Sequence, residues 1–150
     1  MTEIQFQWRR LEGLTAKQLH SILAAREAVF VVEQACAYQE VDSYDLVSWH
    51  LVAWVEQEVA AYLRVVDPGH KFKEPSIGRV LTTEKFRGQG MGKILMTEAL
   101  RHIAETFPQQ GNRISAQKYL LDFYTSFGFK AVSEEYLEDG IPHIEMLRSA

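Results

Sequence analysis

The stretch Val80-Leu81-Thr82-Thr83-Glu84-Lys85-Phe86-Arg87-Gly88-Gln89-Gly90-Met91-Gly92-Lys93 narrows the folds open to this chain more than any other segment. An apolar, β-prone run enters a turn with glycines at 88, 90 and 92, and a helical pattern leaves it. Strand, glycine turn and helix in that order bring unpaired backbone N–H groups and the positive end of a helix dipole to one point, the arrangement that holds a phosphate. The missing Cβ atoms let main chain and ligand approach closely, while Arg87 and Lys93 add positive charge at the rim. A plain loop with glycine at strained positions has the same local sequence, so the turn needs support from elsewhere in the chain.

Spacing argues against two phosphate ligands. A P-loop places its first glycine five positions before the Gly-Lys pair and follows that pair with Ser or Thr; here position 87 is Arg and position 94 is Ile. The dinucleotide fingerprint spaces its glycines G-x-G-x-x-G and carries an acidic residue about twenty positions on. Gly88, Gly90 and Gly92 give G-x-G-x-G, and that later region runs from Thr106 to Gly111 without an acid. ATP-type phosphoryl transfer and a nicotinamide or flavin site are therefore both disfavoured.

The 150 residues, 47% of them hydrophobic, suit a single domain over 1–150 with a proper core. A net charge of −4 and a pI near 5.7 argue against a nucleic-acid partner. One cysteine, Cys36, cannot form an intrachain disulfide and suits a reducing compartment. The start MTEIQFQWRR has no continuous apolar run, and no segment reaches membrane-span length, so a cytoplasmic protein without a membrane partner is expected.

Helical and strand patterns alternate along the chain. Thr15 and Gln18 make a capping box, so a helix should start at Ala16 with Leu19, Ile22, Leu23 and Arg26 on one face. Trp49 to Val55 and Val59 to Val66 read as a hairpin around a polar turn at 56–58, and Ile77 to Thr83 as the strand before the glycines. From Gly92, the stripe Leu95, Met96, Ala99, Leu100, Ile103 and Phe107 is a helix face for the core, stopped by Pro108. A strand near Arg113 to Ala116, a helix near Tyr119 to Phe127 capped by Gly128, and two closing strands broken at Asp139-Gly140-Ile141-Pro142 follow. That order belongs to the α+β class, a mixed sheet with helices on its faces.

Arg87-Gly88-Gln89-Gly90-Met91-Gly92 resembles the acetyl-CoA signature (Arg/Gln)-x-x-Gly-x-(Gly/Ala) of the GCN5-related N-acetyltransferase (GNAT) family. Gln117 to Phe129 (QKYLLDFYTSFGF) is similar to that family's second block, a helix with a Tyr shortly before a Gly-Phe pair. Arg26 to Gln34, Tyr38 to Asp42 and Asp139 to His143 further resemble its ElaA-type branch. The resemblance implies the GNAT fold: a central mixed, mostly antiparallel sheet with helices on both faces, whose fourth and fifth strands splay apart to admit the pantetheine arm of acetyl-CoA.

The resemblance also implies a site. The backbone of Val80, Leu81 and Thr82 would bind pantetheine and polarise the thioester carbonyl, as a strand edge binds another strand. Arg87, Gly88, Gln89, Gly90, Met91, Gly92 and Lys93 would cradle the diphosphate, Gln117 would contact the cofactor arm, and Tyr124 would act as the acid for the departing thiolate. Read without the motif, Tyr124 is a helix-face aromatic beside Phe123 and Phe127.

No base is so clearly marked. Positions where some relatives place a carboxylate, early in the fourth and fifth strands, hold Ser76 and Asn112. Glu33, flanked by Val31 and Val32, and His143, beside the break at Pro142, are the candidates. His50, inside an apolar strand, reads as a core histidine, and Cys36 as a small apolar thiol rather than an acetyl carrier. No metal is expected, since the five histidines show no H-x-x-x-H spacing. The leading expectation is an acetyl-CoA-dependent N-acetyltransferase attacking the thioester directly with an amine acceptor. A non-catalytic acyl-CoA-binding module and a nucleotide-dependent enzyme are the alternatives. An exposed edge of the last strands could pair two copies as a homodimer.

Overall fold

The computed structural model describes residues 3–150. In order it runs β1 (Gln5–Arg10), α1 (Ala16–Arg26), β2 (Ser48–Val55), β3 (Glu58–Val66), β4 (Ser76–Thr82), α2 (Met91–Thr106), β5 (Asn112–Gln117), α3 (Leu121–Thr125), β6 (Lys130–Ala131), β7 (Tyr136–Glu138) and β8 (Ile141–Arg148). β1-β2-β3-β4 form one antiparallel sheet, and β5-β8-β6, with β7 also on β8, form a second. The expected α+β architecture is present, with α1 and α2 on opposite faces of the first sheet.

Both faces of that sheet are covered, which explains why β2 and β3 read as nearly continuous apolar runs. Leu51, Ala53, Leu63 and Val65 point to one side and pack with Met91, Leu95, Met96, Ala99 and Ile103 of α2. Val52, Val59, Tyr62 and Leu81 point to the other side and pack with Ile22 of α1 and Phe30. The turn between β2 and β3 puts Glu56 and Gln57 at φ 49° and 68°. A two-residue hairpin demands left-handed backbone at both positions, here without the usual Asn-Gly pair.

The capping box forms as expected: Thr15 Oγ1 accepts from the Gln18 N–H, and Gln18 Oε1 accepts from the Thr15 N–H. Past Arg26 the helix widens. The N–H groups of Gln34 and Cys36 bond carbonyls five residues back, at Val29 and Val31, a π-helical turn over Glu27–Glu33.

Three expectations need correction. β1 was not anticipated, although Ile4, Phe6 and Trp8 alternate with polar residues; Trp8 stacks on Trp49 at 5.5 Å and on His102 at 4.8 Å. The helix expected from Tyr119 to Phe127 is a short turn at Lys118–Leu120 followed by the five residues of α3. The closing strands number three, because Lys130–Ala131 also pairs with β8.

β4 and β5 meet only where they begin. The Arg113 N–H donates to the Pro75 carbonyl at 3.1 Å, and the Ile77 N–H donates to Asn112 Oδ1 at 3.4 Å. Asn112, buried at that vertex, is a structural pin. Beyond it the strands belong to separate sheets, so the far edge of β4 is left without a strand partner.

Candidate active site

The gap between β4 and β5 is a cleft of about 560 Å³. It brings together Val80, Leu81, Thr82, Arg87, Gly92, Gln117, Tyr124, Glu33 and His143 of the residues singled out from sequence. Gly88, Gln89, Gly90 and Lys93 lie exposed in the adjoining turn and the first turn of α2. The Met91 side chain is buried in the core, which leaves its backbone N–H as its contribution to that turn.

Two features make the turn fit a diphosphate. Gly90, the N-cap of α2, supplies no side-chain cap, and the first helical bond runs from the Ile94 N–H to the Gly90 carbonyl. The N–H groups of residues 91, 92 and 93 therefore have no intrahelical partner. Gly88 and Gly90 sit at φ 76° and 73° with nothing within 4 Å of where a Cβ would stand, so the requirement there is backbone conformation and open space.

Arg87 bridges the cleft mouth. Its Nε donates to the Thr82 carbonyl at 3.0 Å, and Nη1 and Nη2 donate to the two Glu33 oxygens at 2.7 and 2.6 Å. That hydrogen bond holds the Glu33 carboxyl below its ordinary pKa, which makes it a weaker base. Gln34 and Gln117 reach each other at 3.5 Å a step further in.

A bulge shapes the β4 wall. Tyr62 pairs with Leu81 and Arg64 with Gly78, so Leu63 faces both Arg79 and Val80. Arg79 takes up the extra residue at φ 52°, an uncommon conformation for a side-chain-bearing residue. Its guanidinium donates to the Glu40 carboxylate, to the Glu40 carbonyl at 2.9 Å and to Asp42 at 3.3 Å. The Leu81 side chain lies in the core, leaving its backbone to the cleft.

Behind the bulge is a buried ionic network that sequence reasoning missed. Arg26 pairs with Glu40 and Asp45, Arg64 with Asp42 and Asp45, and Arg79 with Glu40 and Asp42. Burial raises the carboxyl pKa values of Asp42 and Asp45, but their arginine partners outweigh it and both end lowered. His50 lies beside them: Nε2–H donates to the Asp45 carbonyl at 3.0 Å and Nδ1 accepts from the Tyr62 hydroxyl at 2.7 Å. Burial pushes its pKa down, and it is a neutral core histidine. A lone arginine in the run Val59 to Val66 was the sequence signal for this cluster.

Tyr124 projects from α3 onto the cleft, 7% exposed. Burial pushes its phenol pKa up, and among the described residues its hydroxyl has no hydrogen-bond partner. His143 stands beside Gln117 in the β5–β8 ladder. Its Nδ1–H donates to the Ile141 carbonyl at 2.7 Å, and Nε2 lies 3.5 Å from Glu138 Oε2. Glu138 accepts from Ser115 Oγ at 3.2 Å, and Ser115 bonds the Tyr136 hydroxyl. Among the described residues, no group of three or more His, Cys, Asp or Glu could hold a metal ion, and no helix is long and apolar enough to cross a membrane.

The sequence profile of the Acetyltransferase (GNAT) domain matches residues 15–149. Protein ElaA of Escherichia coli is 40% identical over 146 residues, 95% of each chain. Its crystal structure superposes with a TM-score of 0.91 at 39% identity, covering 98% of this chain and 100% of that one. The crystal structure of an acyl-CoA N-acyltransferase from Pseudomonas aeruginosa gives 0.93 at 43% identity, with the same coverage.

Proposed function

Because the chain belongs to the GNAT acetyltransferase family and is ElaA-like, we propose that it transfers an acetyl group from acetyl-CoA to a primary amine of a small molecule or protein. One observation carries the reading: a free strand edge, an uncapped helix N-terminus and an unbonded buried tyrosine open onto a single cleft. When bound, acetyl-CoA supplies a thioester whose carbonyl carbon is open to an amine. Residues 87–93 hold its diphosphate, chiefly through the backbone N–H groups that begin α2. The edge of β4 at Val80, Leu81 and Thr82 bonds the pantetheine amides and polarises the carbonyl, and Gln117 contacts the arm from β5.

Tyr124 hands its proton to the departing sulfur; burial raises its phenol pKa, so it enters the reaction protonated. His143 takes the proton from the amine. Its Nδ1–H is committed to Ile141, so Nε2 carries the lone pair that accepts the proton, with Glu138 Oε2 3.5 Å away. Glu33, engaged by Arg87 and held below its ordinary pKa, is set aside as the base.

A free-thiol release assay with acetyl-CoA and a panel of amines tests the reading. Tyr124→Phe should lower kcat by about 10²- to 10⁴-fold, the usual scale for a lost proton donor, with a far smaller effect on CoA affinity by calorimetry. No CoA binding at millimolar concentration would sink the proposal. Binding without turnover of any amine would favour the non-catalytic module.

A further inference from the structure

The cleft carries two opposite charges, Lys71 and Glu138, that have no Lys, Arg, Asp or Glu partner among the described residues. Four Lys or Arg side chains line it: Arg64, Lys71, Arg79 and Arg87. The three arginines are all engaged by carboxylates. Lys71 forms no ion pair among the described residues. Its Nζ stands 5.9 Å from the Tyr44 ring centroid and 5.8 Å from that of Phe72, so the ammonium lies beside two aromatic rings. Burial pushes its pKa down, and the field of Glu138 opposes that. The two groups thus sense each other across the cleft without touching.

Glu138 is the counterpart. It has no Lys or Arg partner among the described residues; it accepts from Ser115 Oγ and lies 3.5 Å from His143 Nε2. An ammonium and a carboxylate facing one pocket without neutralising each other are complementary to a ligand carrying the opposite pair of charges.

Building on the acyl-transfer reading above, we propose that the acceptor is a small amino-acid-like zwitterion, its carboxylate docking on Lys71 and its amine facing Glu138 and His143. A single ammonium matches the one charge of a carboxylate; the guanidinium forks at Arg64, Arg79 and Arg87 are already taken by carboxylates, which leaves none of them for a phosphate. A carboxylate there would offset the desolvation that Lys71 already bears, as a neutral group would not. Glu138 would draw in the charged amine and His143 would take one proton before attack, leaving a neutral nucleophile; the second proton leaves nitrogen after the C–N bond forms, matching the one that Tyr124 gives to sulfur.

The test compares α-amino acids with their amides as acceptors, in wild type, Lys71→Met and Lys71→Arg. Wild type should prefer the acid over its amide in kcat/KM by about 10- to 100-fold, the scale of one hydrogen bond to a charged group. In Lys71→Met that ratio should collapse to near one, mostly through KM, and Lys71→Arg should recover much of it. Equal turnover of acid and amide in wild type, or an undiminished ratio in Lys71→Met, overturns the inference and leaves acyl transfer standing. If no amine is turned over, calorimetry of the amino acids against the protein–CoA complex decides. Saturable binding that Lys71→Met abolishes sustains the zwitterion site while acyl transfer falls; no binding removes both.

Discussion

Replacing Arg26 by methionine keeps the length of the side chain and removes its charge from the most buried point of the ionic network. Arg26 is 1% exposed and makes five hydrogen bonds: Nε to both Glu40 oxygens, Nη1 and Nη2 to Asp45, and Nη2 to the Glu40 carbonyl. The network holds three guanidiniums, Arg26, Arg64 and Arg79, against three carboxylates, Glu40, Asp42 and Asp45, so its formal charge is zero. Arg26→Met leaves it at −1, with the arginine's own partners, Glu40 and Asp45, 7% and 4% exposed. Removing one partner of a buried pair costs about 3–5 kcal/mol, a large share of the ~5–15 kcal/mol that holds a domain folded. At about 2–4 °C per kcal/mol for a chain of this size, the midpoint should fall by roughly 6–20 °C.

Urea unfolding followed by circular dichroism reads this directly, as a lower midpoint with an unchanged slope. Arg26→Met/Asp45→Asn restores neutrality, since Arg64 and Arg79 then face Asp42 and Glu40. The double variant should therefore lose less than the sum of the single ones, by about 0.5–3 kcal/mol. A loss below about 1 kcal/mol for Arg26→Met, against the 3–5 expected for a buried pair, or strict additivity in the cycle, would refute the claim that these charges are held by mutual compensation.

Two further outcomes follow from the titrating groups. Burial lowers the His50 pKa from its ordinary 6.5, so the unfolded chain takes up that proton first and stability should fall as pH drops below 6.5. A second loss should begin below 3.8 as Asp42 and Asp45 protonate, because their folded values are lowered from that figure. Chemical denaturation between pH 8 and 3 checks both steps, and a gain in stability on acidification from 7 to 5 would contradict the His50 assignment. Glu33→Gln frees the Arg87 guanidinium from its bidentate partner, and CoA binding should tighten, most visibly at low salt. The same variant should keep kcat within about 2-fold, against the 10²- to 10⁴-fold loss expected for a removed general base; a loss of that size would return the base role to Glu33.

The cofactor end of the site was legible because it depends on local sequence. Glycines that take positive φ, a helix that starts without a capping side chain and a tyrosine before Gly-Phe leave their mark within a dozen residues. The acceptor end depends on contacts between distant segments. Arg26 and Glu40 lie fourteen positions apart, Arg64 and Asp42 twenty-two, Arg79 and Glu40 thirty-nine, and no periodicity links them. β1 went unread for a different reason: it follows the first residues directly and has no turn signal before it. The alternation of Phe6 and Trp8 with glutamines was a usable signal that composition alone obscured. The bulge at Arg79 cannot be read from β4, since it exists only against the register of β3.

A buried ionic network is weak evidence for stability, because well-packed apolar residues of similar volume often hold a core as firmly. Its connectivity argues for a positional role instead. Arg26 ties it to α1, Arg64 to β3 and Arg79 to the bulge of β4, while Glu40, Asp42 and Asp45 all belong to the segment between the π-helical turn and β2. That segment and the bulge carry Tyr38 and Arg79, which line the cleft, so the network fixes both the outer wall of the acceptor end and the direction of the Val80 backbone. Neutralising it without restoring its hydrogen bonds, as in Arg26→Met/Asp45→Asn, should offset part of the stability loss while KM for the amine stays raised and kcat changes little. Recovery of kcat/KM in step with stability would show that the charges serve the fold alone.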